Sequence, residues 1–457
     1  MNAPLPIAVI GAGPVGLAAA AHLANRGLDF VVLEAGDGVG ASIADWSHVR
    51  LFSPWRFNTD PTARELLEKD GWEAPDPDSL PTGGDLITHY LEPLAAHPAI
   101  APQLRLGAGV TAIGRVGLDK VRTAGRDSAP FLLRLGDGSE LLASAVIDAS
   151  GTWRSPNPLG GAGLVARGEE SARAADRVFD GMPDVTGRLR ERFAGKTVAV
   201  VGSGQSATGT LLALAELPDV TINWLLRAPN PSRAYGGGDA DALPARGSIG
   251  TRVRALVDSG RVSVHTGFLV YRVSDVGLVS DDGREVEAEV IVNATGARPD
   301  FTPLTELRLD VDPILGSTRA LAPLIDPNKH SCGTVPPHGV DELSHPEAGF
   351  YVVGAKAYGR APTFLLATGF EQARSVVAAL AGDWEAARDV KLELPETGVC
   401  SSSNALDQND GEAACCGTAP AATPPRVGLA TGVSGGLLTL PLVEVGAATA
   451  GGSCCGS

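Results

Sequence analysis

Two short apolar runs in this chain each end in a glycine-rich turn and pass at once into a helix-forming stretch. In the first, Ile7-Ala8-Val9-Ile10 leads through Gly11-Ala12-Gly13-Pro14-Val15-Gly16 into Leu17-Ala18-Ala19-Ala20-Ala21. In the second, Thr197-Val198-Ala199-Val200-Val201 leads through Gly202-Ser203-Gly204-Gln205-Ser206-Ala207 into Leu211-Leu212-Ala213-Leu214-Ala215. The apolar runs are short and β-branched, whereas the alanine and leucine stretches favour helix. A further apolar run follows each helix: Phe30 to Leu33 closes on Glu34, and Thr221 to Leu226 closes on Arg227. Strands joined through a helix in this way lie parallel in one sheet. The expected fold class is therefore α/β with two Rossmann-like units.

The turns have the chemistry of dinucleotide sites. A pyrophosphate must be met without a bulky side chain in the way. Gly11 permits the tight turn, Gly13 lets the backbone approach the phosphates, and Gly16 lets the helix pack against the strand. The helix start, with Pro14 at its head, offers free amides and partial positive charge. Glu34 can accept the hydroxyl protons of an unphosphorylated ribose. The alternative is a flexible loop, but strand, helix and acid all stand where a nucleotide needs them. An N-terminal site of this kind, with a second one downstream, points to FAD. In the second loop Gly202 and Gly204 are kept and Ala207 takes the third glycine position, with Gln205 and Ser206 opening the helix. Here the following strand ends on Arg227, with Arg233 nearby. A carboxylate would repel a 2′-phosphate, whereas a guanidinium can pair with it. That favours NADPH, the alternative being a solvated surface charge.

The run Val290-Ile291-Val292-Asn293-Ala294-Thr295-Gly296 is a third strand closing on small residues, and makes Thr295 and Gly296 further cofactor candidates. Ala145 to Gly151 is a weaker counterpart. Phe131 to Leu135, Gly136-Asp137-Gly138 and Leu141 onward read as a hairpin. Phe350 to Gly354 leads through Phe364-Leu365-Leu366 to a helix ending near Leu380.

A net charge of −16 over 457 residues argues against a nucleic-acid partner, which would need a concentrated basic face. The N-terminus has no basic and apolar leader, and no stretch reaches about 18 apolar residues. A cytoplasmic enzyme with a small-molecule substrate and no membrane partner is expected; the oligomeric state is open. None of the six cysteines precedes Cys332, so no disulfide framework holds the body together.

The paired loops, with Asn293-Ala294-Thr295-Gly296 after the second, resemble the two-dinucleotide-binding flavoproteins. Trp46-Ser47-His48-Val49-Arg50-Leu51-Phe52-Ser53-Pro54-Trp55 is similar to the segment that lies along the flavin in their flavin-dependent monooxygenase branch. The resemblance covers about residues 5 to 385. It implies an FAD domain built from residues 1–165 and 295–390, an NADPH domain of residues 166–294 inserted in it, and a tail over 391–457. It also implies that Trp46 lies by the flavin, Val110 contacts the adenine and Gly354 approaches the flavin end. In place of that branch's Phe-x-Gly-x-x-x-His motif the chain has Phe179-Asp180-Gly181-Met182-Pro183-Asp184, which argues against a Baeyer–Villiger reaction. No two cysteines have the Cys-x-x-Cys or Cys-x-x-x-x-Cys spacing of the disulfide reductases, so a redox dithiol mechanism is disfavoured.

The tail is rich in Ala, Gly, Ser, Thr and Pro and is expected to be disordered. It carries Cys400, Cys415, Cys416, Cys454 and Cys455, whose soft thiolates suit a thiophilic species such as trivalent arsenic better than zinc. Alternatively they are idle. Cys332 is either a plain buried thiol or an accessible substrate-binding one. Lys356, Tyr358 and Arg360 either orient nicotinamide or substrate or are solvated. The stretch from Ser331-Cys332-Gly333-Thr334 through Gly354 to Arg360, with Leu394 to Cys400, resembles flavoproteins associated with arsenic resistance. The leading expectation is an NADPH-dependent FAD monooxygenase using O2 on a soft nucleophile such as a trivalent arsenical. The alternatives are an NADPH-dependent flavin reductase acting on a thiol-bound metal or metalloid, and a non-catalytic redox or metalloid-binding flavoprotein.

Overall fold

The computed structural model describes residues 4–236, 244–330, 335–390 and 392. Strand β1 (Ile7–Ile10) is buried at all four positions, as befits the centre of a parallel sheet covered on both faces. It feeds helix α1 (Pro14–Asn25), which returns to β2 (Phe30–Leu33). The short β3 (Leu104–Arg105) extends that edge. An antiparallel sheet of β4 (Val110–Arg115), β5 (Phe131–Leu135) and β6 (Glu140–Ala143) then intervenes, with the expected hairpin between its last two strands. β7 (Ala145–Asp148) comes back beside β1, in parallel register Ile7 with Ala145.

From there the chain builds a second parallel sheet. Its strands are β8 (Val178–Asp180), β9 (Thr197–Val201), β10 (Thr221–Leu225) and β11 (Val262–His265). Helix α2 (Gln205–Ala215) joins β9 to β10, and α3 (Pro244–Asp258) precedes β11. A small antiparallel sheet of β12 (Val270–Val273), β13 (Gly277–Ser280) and β14 (Glu285–Glu287) leads to β15 (Val290–Asn293), which pairs with β9. Finally β16 (Phe350–Val352) rejoins the first sheet beside β7, and α4 (Leu366–Leu380) packs on α1. The orders are β16-β7-β1-β2-β3 and β11-β10-β9-β15-β8. All strands of the second sheet thus lie in sequence between β7 and β16 of the first.

Val9, Val32, Ile147 and Phe350 belong to the core of the first sheet; the second has one cluster with Val198, Val200, Ile222 and Trp224 and another with Ala199, Val201, Leu225 and Ile291. Among the described residues no helix is long and apolar enough to cross a membrane.

Candidate functional site

The two glycine turns owe their shape to backbone that only glycine adopts easily. Gly11 has φ +97° and Gly202 has φ +132°, both in the region that disfavours side chains. A Cβ at Gly11 would lie 2.8 Å from the carbonyl oxygen of Ala149, and one at Gly202 would collide with that of Ala294. The third positions are packing positions. A Cβ at Gly16 would strike the carbonyl oxygen of Gly11, while Ala207 is fully buried in the second core. The middle positions differ: a Cβ at Gly13 or Gly204 would meet no atom of the described residues within 4 Å. These are the backbones left open for a ligand to approach.

Gly13 and Gly204 cap α1 and α2 in the same extended conformation, φ −80° and −82°. No side chain caps either helix, so the first amides are free for an anion. Glu34, one residue past β2, folds back onto the first turn. Its Oε2 accepts the Ala12 amide at 2.7 Å and its Oε1 the Gly36 amide at 2.8 Å. A carboxylate so held keeps lone pairs for two further donors, as ribose hydroxyls would supply.

A cavity of about 1280 Å³ runs from this point across both turns. It exceeds the usual range of small-ligand pockets, about 300–1,000 Å³, and suits extended dinucleotides. Of the residues singled out in the sequence, Gly11, Gly13, Pro14, Glu34, Trp46, Val110, Gln205, Ser206 and Gly354 line it. Gly16, Gly202, Gly204, Ala207, Thr295 and Gly296 are not on its wall; Ala207 is buried, whereas Gly204 and Gly296 are exposed. Thr295 Oγ1 donates to Asn293 Oδ1 at 2.7 Å. Arg227 is exposed just beyond β10 and does not line this cavity. Cys332, Cys400, Cys415, Cys416, Cys454 and Cys455 lie outside the described residues.

Several lining residues carry no motif. Trp153, in the segment leaving β7, tilts at 60° to Trp46 with ring centroids 6.3 Å apart. Its indole nitrogen donates to Asp45 Oδ2 at 2.9 Å, and Arg154 pairs with the same oxygen. From the second unit, Leu212, Ala213 and Glu216 of α2 and Ser248, Ile249 and Arg252 of α3 complete the wall. Phe364, Leu365 and Leu366 close it at the start of α4. The His48 imidazole, also on the wall, is pushed below its ordinary value chiefly by desolvation, against the nearby Asp184 and with Arg188. Lys356 and Tyr358 do not line this cavity. Both are buried, and Lys356 is paired with Asp148 at 2.7 Å rather than solvated. Arg360 is exposed.

Residues 9–64 match the model of an NAD(P)-binding Rossmann-like domain. In sequence the chain is similar to indole-3-pyruvate monooxygenase YUCCA1 of Oryza sativa subsp. japonica, 32% identical over 223 residues. That match takes in 45% of this chain and 44% of the rice protein, so the chain spans under half the length of this relative. In structure it is similar to a bacillithiol disulfide reductase from Bacillus cereus, with a TM-score of 0.61 at 20% identity, covering 83% of this chain and 99% of that one. A flavin-containing monooxygenase from Stenotrophomonas maltophilia gives 0.53 at 22% identity, covering 82% and 99%. What the chain shares with these structures is the fold, α/β with two Rossmann-like parallel-sheet units.

Proposed function

We propose that this chain is an NADPH-dependent FAD monooxygenase acting on a soft nucleophile, with a trivalent arsenical as the first substrate to test. The observation that carries the reading is one cavity lined both by the first glycine turn and by Gln205 and Ser206, which open the helix after the second. Two nucleotides held there at separate helix starts can exchange electrons within one polypeptide. FAD and NADPH as the pair are supported by Glu34 after one unit and Arg227 after the other. The likeness to flavin monooxygenases supports them as well. In this reading residues 1–165 and 295–390 hold FAD and residues 166–294 hold NADPH.

FAD bound there would supply hydride acceptance from NADPH and activation of O2, one oxygen atom passing to the nucleophile and the other leaving as water. The protein's part is binding, orientation and exclusion of water. The Gly13 backbone and the amides that follow Pro14 in the first turn of α1 would hold one pyrophosphate, and Glu34 would hold the ribose next to it. Gln205 and Ser206 at the head of α2 would hold the second, and Arg227 would pair with a 2′-phosphate. Trp46, Val49, Trp153 and Phe364 present apolar surface that keeps water from the reacting atoms. No residue needs to act as a nucleophile.

The test is oxygen uptake by purified protein supplied with FAD and NADPH. Oxygen consumption matched to NADPH oxidation and dependent on an added trivalent arsenical supports the reading. A screen of thioether, amine and 2-oxo-acid substrates follows if arsenicals are inert, the last because of the rice relative's name. Substrate-dependent NADPH oxidation without oxygen would instead assign a reductase acting on a thiol-bound metal or metalloid.

A further inference from the structure

Behind the flavin end of the cavity runs a buried chain of three hydrogen bonds. The Gly354 amide donates to Gln372 Oε1 at 2.7 Å, Gln372 Nε2 lies 3.0 Å from His338 Nε2, and His338 Nδ1 lies 3.0 Å from the carbonyl oxygen of Pro336. His338 is 1% exposed and Gln372 0%, so water cannot substitute for a missing partner. The two ends fix the direction of the chain, because a backbone N–H only donates and a carbonyl only accepts. Gln372 must therefore turn its oxygen to Gly354 and its NH2 to His338. His338 Nε2 must accept, and the proton sits on Nδ1. Burial pushes the imidazole below its ordinary value despite Pro336, Glu342 and Glu371, in keeping with a neutral ring.

The chain joins three pieces of structure. Gln372 lies on α4, whose start closes the cavity, and Gly354 lies on the cavity-lining turn after β16. The His338 loop is tied to α4 a second time, one turn along, where Ser375 Oγ accepts the Val340 amide at 2.9 Å. Tyr358 packs on the imidazole with ring centroids 5.6 Å apart. Gly354 itself has φ +74° and abuts Val15 at the head of α1. A small shift of its amide moves the wall that a flavin would touch.

We propose that His338 is a positioning residue for the cofactor cavity: as the neutral Nδ1–H tautomer it orients the Gln372 amide, which holds the Gly354 turn in place. This rests on reading the cavity as an FAD site. The requirement on residue 338 is an acceptor facing Gln372, which Gln can supply through its side-chain oxygen and Leu cannot.

Two measurements on the full-length protein test it. Nitrogen-15 NMR of the imidazoles, with the His338 signal identified by its loss in H338Q, should show the Nδ1–H tautomer near neutral pH. FAD titration of apoprotein, read by flavin fluorescence and visible circular dichroism, should give H338Q within about twofold of wild type. H338L should bind about tenfold more weakly, as a buried amide left without its partner implies. Equal affinities for both variants, whether as tight as wild type or equally weak, would overturn the proposal. So would an Nε2–H tautomer or an imidazolium, a result that needs no variant to fold beyond the one used for assignment. Wild-type protein that binds no FAD would instead remove the reading beneath it, leaving the tautomer established.

Discussion

Lys356 Nζ lies 2.7 Å from Asp148 Oδ2, with the two side chains 4% and 1% exposed. Lys356 also donates to Ser150 Oγ at 3.1 Å, and Asp148 Oδ1 accepts the Ser150 hydroxyl at 2.6 Å. The pair bolts the turn after β16 to the end of β7, beside Ala149 and Ser150 on the cavity wall. Removing one member of a buried ion pair strands the other charge, at a cost of about 3–5 kcal/mol. Lys356→Met should therefore lower unfolding free energy in urea by that order. The double variant Lys356→Met with Asp148→Asn should lose clearly less than the sum of the single changes. Additive losses would mean that the two groups do not interact.

The glycines of the first turn separate folding from binding. Gly16→Ala places a methyl against the Gly11 carbonyl, so the turn itself must move, and lowered thermal stability with loss of flavin is expected. Gly13→Ala meets no atom of the described residues and needs no unusual φ. Its melting temperature without nucleotide should stay near wild type, while FAD affinity falls by about tenfold or more, since the methyl occupies the phosphate's approach. A Gly13→Ala protein that binds FAD normally would show that the pyrophosphate lies elsewhere.

Arg227 offers a selectivity test. An exposed guanidinium past β10 contributes little to stability, so Arg227→Ala should fold normally. If it pairs with a 2′-phosphate, kcat/KM for NADPH should drop by about ten- to a hundredfold, with NADH barely changed. Equal losses for both nucleotides would place the 2′-phosphate away from this residue.

The legible part of the site was the part that backbone geometry dictates. Gly11 and Gly202 sit at φ values that few other residues tolerate, so their place in the sequence carries the turn with it. Glu34 was legible too, since it stands one residue past β2 and its carboxylate folds back onto the first turn. Trp153, Ile249 and Arg252 were not legible, since their place on the wall depends on how α3 and the segment after β7 close over the cavity. Nor was the Asp148–Lys356 pair, whose members are 208 residues apart. In the sequence Lys356 stood equally for a solvated charge or a ligand-orienting group, and it is neither. Gln372 and His338 were missed for the same reason: nothing local marks a side chain whose partner comes from another element.

His345 links stability to pH. Its Nδ1 accepts the Asp310 amide at 3.2 Å, so the proton of the neutral ring sits on Nε2, which is buried without a hydrogen-bond partner among the described residues. Desolvation, only partly offset by Asp310, lowers its pKa from 6.5 to about 4. Between these values the unfolded chain binds a proton that the folded chain refuses, so unfolding free energy rises with pH there. This contribution is complete above about 6.5 and is lost as pH falls towards about 4, amounting at most to about 3 kcal/mol. Urea unfolding from pH 7 to pH 4 should show that slope in wild type. His345→Gln should show less of it, because Gln cannot take up a proton in either state. An unchanged slope in the variant would assign the acid sensitivity to other groups.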